Sequence, residues 1–323
     1  MGRRKGGGEP KCWRCGLKGH VQTECPHAEA GGECGDGADR MQKACLSCGS
    51  FEHLVAECPL NAKSADEVRP WPRVKRVVAS EPDTNARRNS RMSVLITTSP
   101  VPSNPSTMML EAVLSSFERV EGLRECPLVI VCDGYKFSGK STWKAGRITE
   151  DAANRYAEYL LNLERLLESG RLPPGTRLVI LDGRNGQALA VQAGLKEVET
   201  PYVCVHQHDL EFMFDFGLER LLDVLADDSN HVRYVGMPLL VNLHYEACAW
   251  QHHGVRVAEE EHGGLRLLPV IFWYDSTHIT SVEHYRSLIF TPQAPFRPGD
   301  FVEETFGVRQ REDIMANGMA VHP

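Results

Sequence analysis

Arg177-Leu178-Val179-Ile180-Leu181, then Arg184-Asn185-Gly186, then Gln187 to Glu197, then Tyr202-Val203-Cys204-Val205-His206: this succession decides the fold. Apart from Arg177 and His206 at their ends, the first and last runs are short and apolar, which marks strands buried on both faces. The stretch between them opens on an Asn-Gly turn and has the length of a helix. Strands joined through helices in this way argue for a parallel sheet.

The same alternation extends toward the N-terminus. Leu128-Val129-Ile130-Val131-Cys132 and Ser93-Val94-Leu95-Ile96-Thr97 are two further strand-type runs. Asn104-Pro105-Ser106 reads as a helix start with proline in the first turn, leading into Met108, Met109, Leu110, Val113, Leu114 and Phe117. Asp151 to Ser169 carries Tyr156, Tyr159, Leu160, Leu163 and Leu166 at helical spacing, and Gly170 stops it. Strands alternating with helices predict an α/β fold, a mostly parallel sheet covered on both faces, over residues 92–323. Beyond Asn230 short apolar runs mix with loops rich in His, Pro and Gly, and no element is assigned there.

Upstream of Met92 the chemistry changes. Residues 61–91 hold Pro70, Pro72 and Pro82 with Arg69, Arg73, Lys75, Arg76, Arg87, Arg88 and Arg91, and read as a flexible basic linker. Residues 1–10 read as a basic disordered arm. The formal net charge of -7 excludes a uniformly basic nucleic-acid binder, yet Arg3, Arg4, Lys5, Lys11, Arg14 and Lys18 face only Glu9 and Glu24 at the N-terminal end.

Residues 11–27 and 44–60, joined by a linker over 28–43, each hold a complete C-x2-C-x4-H-x4-C set. The first is Cys12, Cys15, His20 and Cys25; the second is Cys45, Cys48, His53 and Cys58. Zinc takes four tetrahedral ligands from thiolate and imidazole, and two cysteines two residues apart meet one ion from a tight turn. Gly16 and Gly49 follow the second cysteine of each set, where the chain bends sharply. A segment this poor in aliphatic residues needs such a staple, so two structural zinc ions are expected. The remaining five of the 11 cysteines show no pairing pattern, which argues against a disulfide framework.

Each set resembles the zinc knuckle of retroviral nucleocapsid proteins and of cellular RNA-binding proteins. That resemblance implies binding of single-stranded nucleic acid, RNA in particular, by aromatic stacking and phosphate contacts. Trp13, Arg14 and Lys18 supply those groups in the first knuckle. The second offers Phe51 but also Glu52 and Glu57, and no Lys or Arg between its ligands, which fits a protein partner equally well.

The Arg184 to Leu195 stretch, the strand after it and His206-Gln207-His208-Asp209-Leu210-Glu211 resemble the nucleotide-diphospho-sugar transferase (glycosyltransferase-A) fold. In that family the strand ends in D-x-D, which holds a divalent cation against the sugar nucleotide. Here the motif is Asp209-x-Glu211. The resemblance implies Mn2+ or Mg2+ with a nucleotide sugar as cofactor set, Asp133 and Asn185 near the nucleotide, and a catalytic base at Glu303 or Glu304. His322 stands where a distal metal ligand would. The residues leave alternatives open. Asp209 and Glu211 also read as caps of a helix beginning near Phe212, and Glu303 and Glu304 as a solvated helix start. His206 and His208 read as metal ligands beside Asp209 or as satisfied groups at a strand end.

The expected protein is thus a zinc-binding, single-stranded nucleic-acid-binding chain with a glycosyltransferase-like domain. The alternative is a non-catalytic interaction protein whose α/β domain is a scaffold. No apolar run of about 18 residues is present, so no membrane span is expected. The basic, Gly-rich start is not a secretory signal, which predicts the cytoplasm or nucleus.

Overall fold

The computed structural model describes residues 72–80, 91–240, 243–292 and 295–318. The eight knuckle ligands, Trp13, Arg14, Lys18, Phe51 and His322 lie outside these residues. The chain divides into two compact units, Met1–Val68 and Arg69–Pro323, and the second holds the α/β domain.

Its elements run β1 (Val74–Ala79), β2 (Met92–Thr98), α1 (Met108–Ser116), β3 (Leu128–Cys132), β4 (Lys136–Phe137), β5 (Arg147–Ile148) and α2 (Glu150–Glu168). Then follow β6 (Arg177–Leu181), α3 (Gln187–Gly194), β7 (Tyr202–Gln207), α4 (Leu218–Ala226), β8 (Tyr234–Gly236) and α5 (Tyr245–His253). The last part holds β9 (Glu260–His262), β10 (Leu265–Leu267), β11 (His278–Ser281), a π-helical turn Glu303–Gly307 and α6 (Val308–Asn317). Seven strands form the main sheet in the order β1-β6-β3-β2-β7-β11-β8.

The centre, β6-β3-β2-β7, is parallel as expected. Its strands are buried along their length, every residue of β3 among them. Alternate residues serve opposite faces. Val94 and Ile96 join Phe117, Tyr156 and Leu222 in one core, and Leu95 joins Ala190, Tyr285 and Phe306 in the other. α3 crosses β2, β3 and β6 so closely that a Cβ on Gly194 would lie 2.6 Å from Val131 Cγ2 and 2.7 Å from Leu95 Cδ1. α2 buries Tyr156, Tyr159, Leu163 and Leu166, and its N-cap Thr149 accepts the Ala152 N–H at 3.3 Å.

Two features depart from the sequence reading. Residues 74–79 fall in the stretch read as linker, yet they form an edge strand antiparallel to β6. The side chains of β1 are mostly exposed, so no burial pattern announced it, and its Lys75 and Arg76 suit a sheet edge that must not pair further. On the other side β11 pairs antiparallel with both β7 and β8. The sheet is therefore a parallel centre with antiparallel flanks.

Candidate active site at the ends of the parallel strands

From β2 the chain moves outward to β3 and β6, then returns to place β7 on the opposite side of β2. The strand order reverses there, and open α/β sheets bind ligands in the crevice outside the strand ends at such a point. Thr97 and Thr98 end β2 there, and Gln207 ends β7 beside Thr97, with His208 and Asp209 directly after it.

The two histidines differ sharply. His206 is 1% exposed, its Nδ1 lies 2.7 Å from Thr277 Oγ1 and its Nε2 2.7 Å from the Leu210 carbonyl. A carbonyl only accepts, so Nε2 carries the proton and Nδ1 accepts from the threonine. Burial lowers its pKa to about 4. His206 is thereby a neutral structural group with no lone pair to spare. His208 donates from Nδ1 to the Thr97 carbonyl at 3.1 Å, which leaves its Nε2 lone pair buried and without a partner among the described residues. Burial likewise lowers its pKa.

Asp209 is exposed and makes no hydrogen bond or ion pair among the described residues. Glu211 lies 3.9 Å from Arg119 in a half-exposed pair, with Arg119 also donating to the Phe212 carbonyl at 3.3 Å. No helix begins near Phe212; the next one starts at Leu218 behind Gly217. Among the described residues no three His, Cys, Asp or Glu side chains gather around a common point. Two donors here lack a partner among the described residues, the exposed Asp209 carboxylate and the buried His208 Nε2, an oxygen and an imidazole. Glu211 joins them only by leaving Arg119, a small cost because exposed pairs contribute about 1 kcal/mol at most.

Asp133 and Asn185 meet, but on each other. Asp133 Oδ1 accepts the N–H groups of Gly134 and Asn185 at 2.8 Å each, and Oδ2 accepts that of Gly186 at 2.9 Å. Burial pushes the carboxyl's pKa up although these three donors favour its charged form. Asn185 is fully buried, takes the Arg73 N–H on its side-chain oxygen at 3.1 Å and gives its Nδ2 to the Gly183 carbonyl at 2.9 Å. These atoms hold the turn after β6 against the end of β3. The fit is tight: a Cβ on Gly134 would lie 2.1 Å from the Gly183 carbonyl oxygen.

A strap from the C-terminal part closes over this turn, with the Gly299 N–H on the Asn185 carbonyl at 2.7 Å and the Ala188 N–H on the Asp300 carbonyl at 3.2 Å. It delivers Glu303 to a residue the sequence reading did not single out. Asp275 N–H donates to Glu303 Oε2 at 3.1 Å, and Glu303 N–H donates to Asp275 Oδ2 at 3.1 Å. Gln207 Nε2 donates to the Asp275 carbonyl at 3.0 Å and ties the pair to the end of β7. Asp275 is 5% exposed, and its Oδ1 has no hydrogen-bond partner among the described residues. Burial first, then the neighbouring Glu303 charge, push its carboxyl up to about 7. The Trp273 indole lies close enough to favour the charged form, yet makes no hydrogen bond of good geometry. Glu304 is exposed. The one sequence cue to Asp275 is an acid set directly after Phe272-Trp273-Tyr274.

Comparison with known proteins adds the following. The zinc-knuckle family model matches residues 10–27. No curated protein sequence matches the chain. Among solved structures, the mannosyltransferase PcManGT from Pyrobaculum calidifontis, in complex with GDP-Man and Mn2+, aligns at 16% identity and a TM-score of 0.36 over 68% of this chain and 50% of that one. TarS residues 1–349 from S. aureus align at 14% identity and a TM-score of 0.39, over 69% and 55%. Glucosyl-3-phosphoglycerate synthase from Mycobacterium tuberculosis, with Mn2+, UDP and glucosyl-3-phosphoglycerate, aligns at 16% identity and a TM-score of 0.37, over 73% and 69%. The chain thus spans about half the length of the first two. Among the described residues no helix is long and apolar enough to cross a membrane.

Proposed function

We propose that this chain binds single-stranded RNA through its zinc knuckles and transfers a glycosyl group from a nucleoside diphosphate sugar in its α/β domain. The knuckle match at residues 10–27 supports the first half, and Trp13, Arg14 and Lys18 are the groups that would stack on bases and meet phosphates. The second set, Cys45, Cys48, His53 and Cys58, would hold a second zinc ion.

One observation carries the second half: the reciprocal Asp275–Glu303 pair beside the crevice at the β2/β7 reversal. In transfer to a hydroxyl, the acceptor oxygen forms the new bond to the anomeric carbon and the bond to the diphosphate breaks. The acceptor proton needs a base. Glu303 is less buried than Asp275 and has one carboxylate oxygen outside the pair, so Glu303 takes the proton and Asp275 holds it in place. A manganese ion held by Asp209 and His208 would offset charge on the leaving diphosphate.

The test is nucleoside diphosphate release from UDP- and GDP-sugars, with and without Mn2+. Glu303→Gln is expected to lower turnover by about 10²–10⁴, the usual contribution of a general base, while the protein stays at least as stable as the parent at neutral pH, since the variant removes a charge that disfavours ionised Asp275. Absence of turnover together with absence of any thermal shift with every sugar nucleotide retires the enzyme. A scaffold is the second reading, favoured by the Arg119–Glu211 contact that draws one member of the acidic pair aside.

A further inference from the structure

Between β3 and α2 the chain makes a small excursion, residues 134–149, built on β4, β5 and a 3-10 turn at Trp143–Ala145. It carries Lys136, Lys140, Lys144 and Arg147 and no acid, in a chain whose net charge is -7. Lys140, Lys144 and Arg147 are exposed and form no ion pair among the described residues. Phe137 keeps 69% of its surface in water; it pairs with Ile148, while Lys136 pairs with Arg147 on the other face of the two strands.

The excursion is held in shape. The Lys136 N–H donates to the Gly146 carbonyl at 2.8 Å, Ser138 to Ile148 at 2.9 Å and Thr142 to Arg147 at 2.7 Å. The Phe137 ring meets Tyr135 edge-on at 5.3 Å, and Tyr135 in turn meets the buried Tyr156 at 6.1 Å. A lone exposed phenylalanine is ordinary on a protein surface. One that is fixed by a second aromatic in a segment with four cations and no acid is not.

A fifth cation joins them from the turn after β6. A Cβ on Gly146 would lie 2.6 Å from Arg184 Cδ, and one on Gly299 2.7 Å from Arg184 Nη1. Two glycines thus make room for the Arg184 stem and head. The half-buried guanidinium has no hydrogen bond or ion pair among the described residues. A cation set in place and left unpaired is ready for an anion. Glu150 and Asp151 at the start of α2, the latter paired with Arg155, and exposed Asp182 border the patch.

We infer that this excursion binds single-stranded nucleic acid, with Phe137 stacking on a base and Lys140, Lys144, Arg147 and Arg184 meeting phosphates of a strand that passes around it. The exposed aromatic selects a strand with unpaired bases over a duplex or an acidic peptide, because every base offers a face to stack on. The spread of cations over both strands and the turn of the excursion fits several phosphates and exceeds what one mononucleotide can engage. The inference is independent of glycosyl transfer, and its test reads no turnover.

The zinc-loaded full chain is irradiated with an oligouridine carrying 4-thiouridine, and the crosslinked peptides are mapped. Crosslinks within residues 134–149, in addition to any in the N-terminal unit, are expected. Lys140→Gln/Lys144→Gln/Arg147→Gln is expected to reduce the magnitude of the log–log salt slope of binding by ~2, at about 0.7 for each phosphate no longer engaged. Arg184→Gln alone should reduce it by ~0.7. The altered side chains of the triple variant are exposed, so its melting temperature should match the parent's. Crosslinks confined to residues 1–68, an unchanged slope in the triple variant, or full displacement of the crosslinks in residues 134–149 by UDP or GDP would each overturn the inference. The last of these would make the face a mononucleotide site.

Discussion

Replacing Asp275 with asparagine should make the protein more stable at neutral pH, and the size of the effect follows from burial. The carboxyl is raised from 3.8 to about 7 in the folded chain, roughly three units. At about 1.4 kcal/mol per unit, that is on the order of 4 kcal/mol between the two protonation states. The sign runs against the common carboxylate case. Below pH about 4 folded and unfolded chains both hold the proton and the contribution to stability is full. As pH rises toward 7 the unfolded chain gives up its proton while the folded chain retains it, so stability is lost across that window. Asparagine keeps an oxygen for the Glu303 N–H and does not ionise. Urea unfolding of both proteins, followed by circular dichroism at intervals from pH 4 to 8, reads the difference directly. The variant should match the parent near pH 4 and gain steadily to about 4 kcal/mol by pH 8. Contributions from other titrating groups, such as His206, His278 and His284, whose pKa values burial lowers to about 4, cancel in the difference. Parallel curves, or a variant less stable than the parent at pH 8, would show that Asp275 is not held neutral by burial.

Gly134→Ala should prevent the β3 and β6 turns from meeting, because the added carbon would overlap the Gly183 carbonyl at 2.1 Å; soluble yield and thermal melting report it. Thr149→Ala removes the cap of α2 and should cost about 1 kcal/mol in urea unfolding. Stripping zinc with a chelator should collapse amide dispersion for residues 10–27, since such ions contribute ~10–16 kcal/mol to small modules. Trp13→Ala should weaken single-strand binding by ~1–3 kcal/mol while metal analysis still finds zinc.

How far the sequence carried depended on whether a feature is local. β2, β3, β6 and β7 were legible because their apolar runs are continuous, and α2 because its buried residues recur each turn. β1 was not, since Val74–Ala79 sets Lys75 and Arg76 side by side between valines on an exposed edge. Asp209-x-Glu211 follows the end of β7, but Glu211's neighbour Arg119 stands 92 positions upstream, out of reach of any local pattern. His206 and His208 look alike in sequence. Only Thr277 and the Leu210 carbonyl reveal that the first is already satisfied. Asp275 acquires its meaning from Glu303, 28 residues later, so spacing rules for adjacent acids could not have revealed it.

The strap through Gly299 and Asp300 also sets an order of assembly. Every strand of the main sheet has been made by the time the ribosome reaches Ser281, whereas the strap bonded to Asn185 through Gly299, and Glu303 beyond it, come later in the chain. A product cut short before the strap would lose not only Glu303 but also Val302 and Phe306 from the second core, so it should fail to hold a finished fold.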